Sequence, residues 1–194
     1  MLERLEGKFN IILGSGSPRR KELLNKIIKN FKLQVIPINE AAFNDKCNEE
    51  LAMELSFQKS LAFSDSIKDN DLIITSDTIV CINNEALGKA EDKKQAVNML
   101  NKLSGNTHFV YTGITIFTKQ KKHTFFDKTE VTFYKLSKQE IDFYLDNYKP
   151  YDKAGAYGIQ EWIGNIGIKK IKGCYYNVMG LPIHKLYREL SKFI

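Results

Sequence analysis

Ser15-Gly16-Ser17-Pro18-Arg19-Arg20-Lys21 joins two serine hydroxyls to a run of three cations. Ile11-Ile12-Leu13 before it suits a short buried strand, and Glu22-Leu23-Leu24 after it continues as a helix. Ser17 fits an N-cap and Pro18 the first helical position, where a backbone N–H would be unpaired anyway. A helix start exposes N–H groups and a partial positive charge, so it attracts phosphate. Arg19, Arg20 and Lys21 oppose that dipole. An anion would explain them; a solvated basic turn is the plainer alternative. Gly14-x-Gly16 lacks the third glycine of the dinucleotide fingerprint, Arg19 standing in its place. Gly88-Lys89 lacks the earlier glycine and the hydroxyl residue of a G-x-x-x-x-G-K-[ST] loop.

Asp77 interrupts the apolar, β-branched run Leu72–Ile82 between Ser76 and Thr78. Burying an unpaired carboxylate is costly, so Asp77 must meet a cation, a metal or a catalytic water at a kink or strand end, unless it only ties down a turn. Lys59 falls on the apolar stripe of a helix expected from its cap at Asn48 to about Ile67, four residues from both Leu55 and Phe63. Such a lysine either snorkels along its stem or points at an anion. Lys89 brings back another cation, and Glu40 ends an expected edge strand over residues 33–38. The cations suit a polyphosphate, and Asp77 suits a general base or metal ligand that prepares water for attack on phosphorus. Phosphoryl chemistry needs positioning and charge neutralisation more than covalent help, so hydrolysis of a nucleoside triphosphate fits this inventory.

These side chains need a frame. The 194-residue chain can bury one core, or two lobes sharing one, and its few glycines and prolines leave no linker, so a single domain over 1–194 is expected. The net charge of +6 is spread over lysine doublets, which read as solvated faces; no stretch interleaves basic and aromatic residues as single-strand binders do. No nucleic-acid partner is therefore expected. No apolar run approaches the ~20 residues of a membrane span, and no apolar leader is expected at the N-terminus. Cys47, Cys81 and Cys174, without C-x-x-C spacing, read as reduced thiols of a cytoplasmic protein. The three histidines fall in unrelated elements, with no zinc-type cluster expected. Further along, a helix is expected from Asp92 to Leu103, then a hairpin of strands 107–118 and 123–135. A capping box at Ser137 starts another helix. Residues 151–180, dense in glycine, read as strand and turn around a ligand, and Pro182 opens a last amphipathic helix.

Six segments, in order, resemble the Maf nucleotide pyrophosphatases: 15–24, Ser76-Asp77-Thr78-Ile79-Val80, Leu87-Gly88-Lys89, 103–108, Asp152-Lys153-Ala154-Gly155-Ala156-Tyr157-Gly158-Ile159-Gln160, and 176–182. The resemblance implies an α/β fold similar to the inosine-triphosphatase group, with two lobes around a central mixed sheet and a deep cleft. It implies an enzyme that cleaves nucleoside triphosphates between the α and β phosphates with a divalent metal, Mg²⁺ or Mn²⁺. The family's proton acceptor falls on Asp77, its substrate-selecting positions on Arg19, Thr78 and Gln160, and its phosphate-binding positions on Ser15, Arg20, Lys59 and Lys89. Glu40 fits its further acidic residue, giving Glu40 and Asp77 as the expected metal ligands. The segment ending at Gln160 resembles the branch that prefers dTTP and UTP; a Gln amide offers the donor and acceptor that a pyrimidine imide edge needs. Purine or 7-methylguanosine triphosphates are the alternative substrates, and a non-catalytic nucleotide- or nucleic-acid-binding protein is the alternative class. Self-association into a homodimer is left open. Two positions depart from the family pattern: Gly14 stands where alanine is usual, and Ala90 where proline is usual.

Overall fold

A computed structural model describes residues 2–39 and 47–194 of the chain. Its centre is β3 (Asp71–Ile82), whose β-branched, almost wholly buried residues make it the spine of a mixed sheet. On one edge β3 pairs in parallel with β1 (Asn10–Leu13), which pairs in parallel with the two-residue β2 (Lys32–Leu33). On the other edge it runs antiparallel to β5 (Thr107–Phe117), followed by β6 (Lys122–Phe133) and β7 (Ile168–Lys172). The short β4 (Glu85–Leu87) folds back onto the end of β3.

The pairing leaves one opening. Along its first edge β3 is covered by β1 at residues 71–74 and by β4 at residues 80–82. Between them, residues 75–79 have no strand neighbour on that edge among the described residues. Side chains of adjacent strand residues point to opposite faces. At this opening, however, residues from both faces can reach one space.

The helices sort by face. α3 (Glu49–Leu61), capped by Asn48, covers one face with Leu51, Ala52 and Leu55 against Ile79, Cys81 and Tyr111. Gly113 makes this packing close: a Cβ there would sit 2.0 Å from the Ala52 carbonyl oxygen. The opposite face carries two apolar clusters. One gathers α1 (Leu2–Lys8), α2 (Pro18–Asn25) and α8 (Ile183–Leu190) over Leu72, Ile74, Ile114 and Ile116. The other gathers α4 (Lys93–Leu103), α5 (Lys138–Tyr148) and α6 (Trp162–Gly167) over Val80, Ile82, Val110, Val131 and Phe133. Between them runs a polar row in sheet register, Thr78, Thr112 and Asp127. The short α7 (Tyr175–Met179) lies over that row.

Several sequence expectations need correction. The strand expected over 33–38 stops at Leu33, opposite the end of its partner β1 at Leu13. α3 ends at Leu61 rather than near Ile67, in a series of turns. Residues 151–180, expected as strand and turn, contain α6 and α7 as well as β7, because six- and five-residue helices leave too little periodicity to read. Asp77 lies in an unbroken strand, not at a kink or strand end. Cys47 and Cys81 were expected as reduced thiols but form a disulfide; packing of the α3 entrance on β3 brings their Cα atoms to 5.8 Å. Cys174 is the free cysteine. No described helix is long and apolar enough to cross a membrane.

Candidate active site

The opening in β3 forms the floor of a cleft of about 800 Å³. Arg19, Arg20, Lys59, Asp77, Thr78, Lys89 and Gln160, drawn from segments up to 141 residues apart in sequence, all line it. Ser15 does not line it. Its buried hydroxyl lies behind Arg20, accepting from Nη1 at 3.3 Å. Glu40 lies outside the described residues.

Local chemistry sets each side chain. Ser17 caps α2, its hydroxyl accepting from the Arg20 N–H, and Pro18 takes the first turn, so the chain turns from β1 into the cleft as expected. Gly14 sits just before this turn. A Cβ there would lie 2.7 Å from Thr75 Cγ2 and 3.0 Å from the Phe63 ring, so the neighbours of this chain have filled the space an alanine would need. Arg20 is held at three points: Nε donates to the Gly180 carbonyl at 2.9 Å, Nη2 to Thr78 Oγ1 at 3.1 Å, and Nη1 to Ser15. Gly180, with φ of 112°, ends α7 in the left-handed region and turns that carbonyl toward Arg20 and Ser76.

On the α3 side, Lys59 donates to Asp77 in a salt bridge, their side chains 17% and 13% exposed. The pairing resolves the two sequence alternatives for Lys59: it points at an anion, and that anion is Asp77. Lys59 is seven residues after Ala52 on the same helix face, so the close approach at Gly113 also delivers Lys59 to the strand.

The far wall is the 151–160 turn. Arg19 Nη1 bonds Asp152 Oδ2 at 2.7 Å, bridging the start of α2 to this wall. Burial works to raise the Asp152 pKa, but hydrogen bonds from Lys153 and Arg19 outweigh it and hold the carboxyl below its ordinary range. Lys153, its side chain only 11% exposed, also pairs with Glu161 at 3.0 Å. Glu161 in turn accepts from Tyr144, whose hydroxyl accepts from the Gly158 N–H at 3.0 Å. Tyr157 lines the cleft and its hydroxyl meets His108 Nε2 at 2.8 Å. Burial lowers the His108 pKa to about 3, so this ring is neutral at ordinary pH. Lys89 is tied to the same wall by a bridge to Ala154.

Sequence reasoning singled out the cations and Asp77 but missed Asp152, Lys153 and Tyr157 as cleft residues. All three stand in the segment quoted for its glycines. The signal was there: Asp152-Lys153 is a charged pair at the entrance to a glycine-rich turn. Chemically, among the described residues the cleft sets one buried carboxylate among several cations, with open space for a multiply charged anion between them.

The comparisons with known proteins agree with one another. The family model described as Maf-like protein matches residues 10–193. A Phocaeicola vulgatus protein named dTTP/UTP pyrophosphatase is 47% identical over 99% of this chain and 100% of its own length. A Parabacteroides distasonis protein of the same name is 45% identical, with both chains covered completely. One from Flavobacterium psychrophilum is 47% identical over 98% of this chain and 97% of its own. Among solved structures, the Staphylococcus aureus Ham1 protein aligns with a TM-score of 0.51 at 17% identity, covering 95% of this chain and 100% of that one, a likeness of fold alone. The fold is thus the mixed α/β architecture that the sequence led one to expect, and the chain belongs to the Maf family.

Proposed function

We propose that this chain is a nucleoside triphosphate pyrophosphatase acting on dTTP and UTP. The observation that carries the reading is the placement of Asp77 and the cations Arg19, Arg20 and Lys89 around one cleft. The names of the full-length relatives support the substrate pair.

In this reading the triphosphate lies along Arg19, Arg20, Lys59 and Lys89, with Ser15 acting through Arg20. Asp77 accepts a proton from a water whose oxygen attacks the α phosphorus; the bond from that phosphorus to the bridging oxygen breaks, and pyrophosphate leaves with the nucleoside monophosphate as co-product. The cations offset charge developing on the departing oxygens. Thr78 and Gln160 select the base, Gln160 from the rim, where it is exposed. The donor set fits a hard divalent ion: Asp77 offers a carboxylate on the cleft floor, and Mg²⁺ or Mn²⁺ is commonly held by one or two carboxylates plus substrate phosphates. Asp77, with Glu40 as the second acid, would hold it. Bound there, the ion would supply charge neutralisation and lower the pKa of water.

The test is a panel of nucleoside triphosphates with pyrophosphate detection, run on the chain and on Asp77→Asn. Release of pyrophosphate from dTTP and UTP, lost in the variant, is the expected outcome. Equal turnover of purine substrates removes the base assignment, and absence of hydrolysis with any triphosphate removes the enzyme reading.

A further inference from the structure

The polar row that starts at the cleft with Thr78 and Thr112 ends at Asp127 on β6, on the far side of α7. There Asp127 meets Cys174, which precedes α7, and His184 on α8. We propose that Asp127, Cys174 and His184 form a binding site for one transition-metal ion of the Zn²⁺ class, separate from the cleft.

One carboxylate oxygen, one sulfur and one ring nitrogen, a donor from each residue, lie within 4.8 Å of one another. Cys174 Sγ is 3.3 Å from His184 Nδ1, and Asp127 Oδ2 is 3.9 Å from His184 Nε2. Asp127 Oδ2 is buried and accepts no hydrogen bond among the described residues, although a carboxylate oxygen so placed ordinarily has a partner. This orphaned acceptor is the independent mark of a missing cation. Lys185 Nζ stands 3.8 Å from the other oxygen and is already committed to the Phe126 carbonyl, so it balances the charge only in part.

Thiolate, imidazole and carboxylate together suit a borderline ion and disfavour Mg²⁺ or Ca²⁺, which take oxygen ligands. Zinc sits about 2.0–2.3 Å from such donors, which places neighbouring donors roughly 3.2–3.7 Å apart. The sulfur–nitrogen pair is in that range already. Sulfur and carboxylate face different ring nitrogens, so binding requires the imidazole to turn until one nitrogen faces both, and the donors to close from separations of up to 4.8 Å. His184, its side chain 54% exposed, has room to do so, and water completes the fourth position. A nucleophilic Cys–His–Asp triad is the competing use of the same residues. Neither Cys174 nor His184 lines the cleft, so a triad there would not face the proposed substrate.

Such an ion would pin both ends of the 174–184 segment to the sheet. That segment also supplies the Gly180 carbonyl to Arg20, so the site lies one short helix away from the cleft.

The test uses the full chain stripped of metal, titrated with Co²⁺ as a spectroscopic probe and then with Zn²⁺ against a chromophoric chelator. Expected is one ion per chain, with a thiolate-to-cobalt charge-transfer band and the ligand-field absorption of a four-coordinate site. Cys174→Ser abolishes the band while far-ultraviolet circular dichroism stays that of the parent. Asp127→Asn and His184→Ala weaken Zn²⁺ binding at least about 100-fold, the upper end of what changes outside the ligand set cost. The Cys47→Ser/Cys81→Ser double variant keeps the band. No stoichiometric binding, or a band that survives Cys174→Ser, overturns the proposal and leaves the proposed pyrophosphatase reading untouched.

Discussion

The two faces of β3 at Asp77 and Thr78 are built on opposite principles. On the α3 face a buried carboxylate has a lysine beside it, Asp77 with Lys59. On the α7 face a guanidinium, that of Arg20, is bonded to neutral oxygens: the Gly180 carbonyl and the hydroxyls of Thr78 and Ser15. These neutral acceptors fix the direction of the Arg20 guanidinium at the cleft. One face thus holds the negative charge and the other orients positive charge, and the missing strand neighbour lets both act on one space.

The largest effect should come from removing the charge on the acidic face. Asp77→Asn keeps size and a hydrogen-bond acceptor for Lys59, so the fold should survive. The turnover of dTTP should drop about 10²–10⁴-fold, the usual worth of a general base. A kcat within a factor of three of the parent would take the reacting proton away from this face.

The same face depends on how closely α3 approaches. Gly113→Ala places a Cβ 2.0 Å from a backbone oxygen, which no side-chain rotation relieves. The expected loss is about 3 kcal/mol of stability, the upper range of overpacking, seen as a lowered denaturant midpoint. Turnover should fall with it, because Lys59 moves away from Asp77 with the helix. Undiminished stability would mean that the approach of α3 does not set the Lys59–Asp77 geometry.

The neutral face makes its own prediction through His108, which lies on it and supports Tyr157 in the cleft wall. Burial lowers its pKa from 6.5 to about 3 in the folded chain. The unfolded chain takes up a proton as pH falls through 6.5, whereas the folded chain resists until about 3. The stability contribution is therefore complete above pH 6.5 and declines steadily toward pH 3, by about 2 kcal/mol between pH 7 and 5. Denaturant titrations at the two pH values should show that much less acid sensitivity in His108→Gln, a residue that stays neutral and can still hydrogen-bond Tyr157. Equal sensitivity in both proteins would show that the ring accepts a proton where it stands.

Thr78→Val tests the anchoring of Arg20 beside the base selection proposed for Thr78. It removes the acceptor for Nη2 and the contact with Thr112 while keeping the branched shape of a strand residue. About tenfold higher KM for dTTP, with kcat changed less, would match one lost hydrogen bond to a charged group. The reverse split would place Thr78 nearer the reacting atoms than the neutral-face reading allows.

How much of this was legible in the sequence divides along the same line. The acidic face was readable: a carboxylate inside an apolar strand demands a partner, and a lysine on an apolar helix stripe advertises one. The helix cap at Ser17 and the capping box at Ser137 were equally plain, since both depend on residues three apart in the chain. The neutral face was not readable. A backbone carbonyl at Gly180 carries no residue-type signature, and its contact with Arg20 spans 160 residues. The Cys47–Cys81 bridge and the meeting of Asp127 with Cys174 and His184 escaped for the same reason: each is made by packing of loops and helices on distant strands, which local spacing does not encode. The fold class came through the family resemblance, whereas the long strands and capped helices were legible as local patterns. The short helices α6 and α7 were not, being stabilised by what they cover rather than by their own periodicity.

The smallest expected effect concerns the ion pair between the start of α2 and the far wall of the cleft, Arg19 with Asp152. Asp152 is 58% exposed, and an exposed pair of this kind contributes about 0.2–1 kcal/mol. Asp152→Asn should therefore change stability only slightly. Its bond to Arg19 nonetheless competes with any anion for that guanidinium, so breaking it should leave Arg19 freer to meet phosphate and lower the KM for dTTP a fewfold. Asp152 is held below the ordinary carboxyl range, so in the parent the competition persists until the pH falls below that range. The parent should approach the KM of the variant only in acid. A variant KM that rises instead would mean that Asp152 positions Arg19 for the substrate rather than withholding it, and Arg19 would then belong with Arg20 as a cation aimed by the protein's own oxygens.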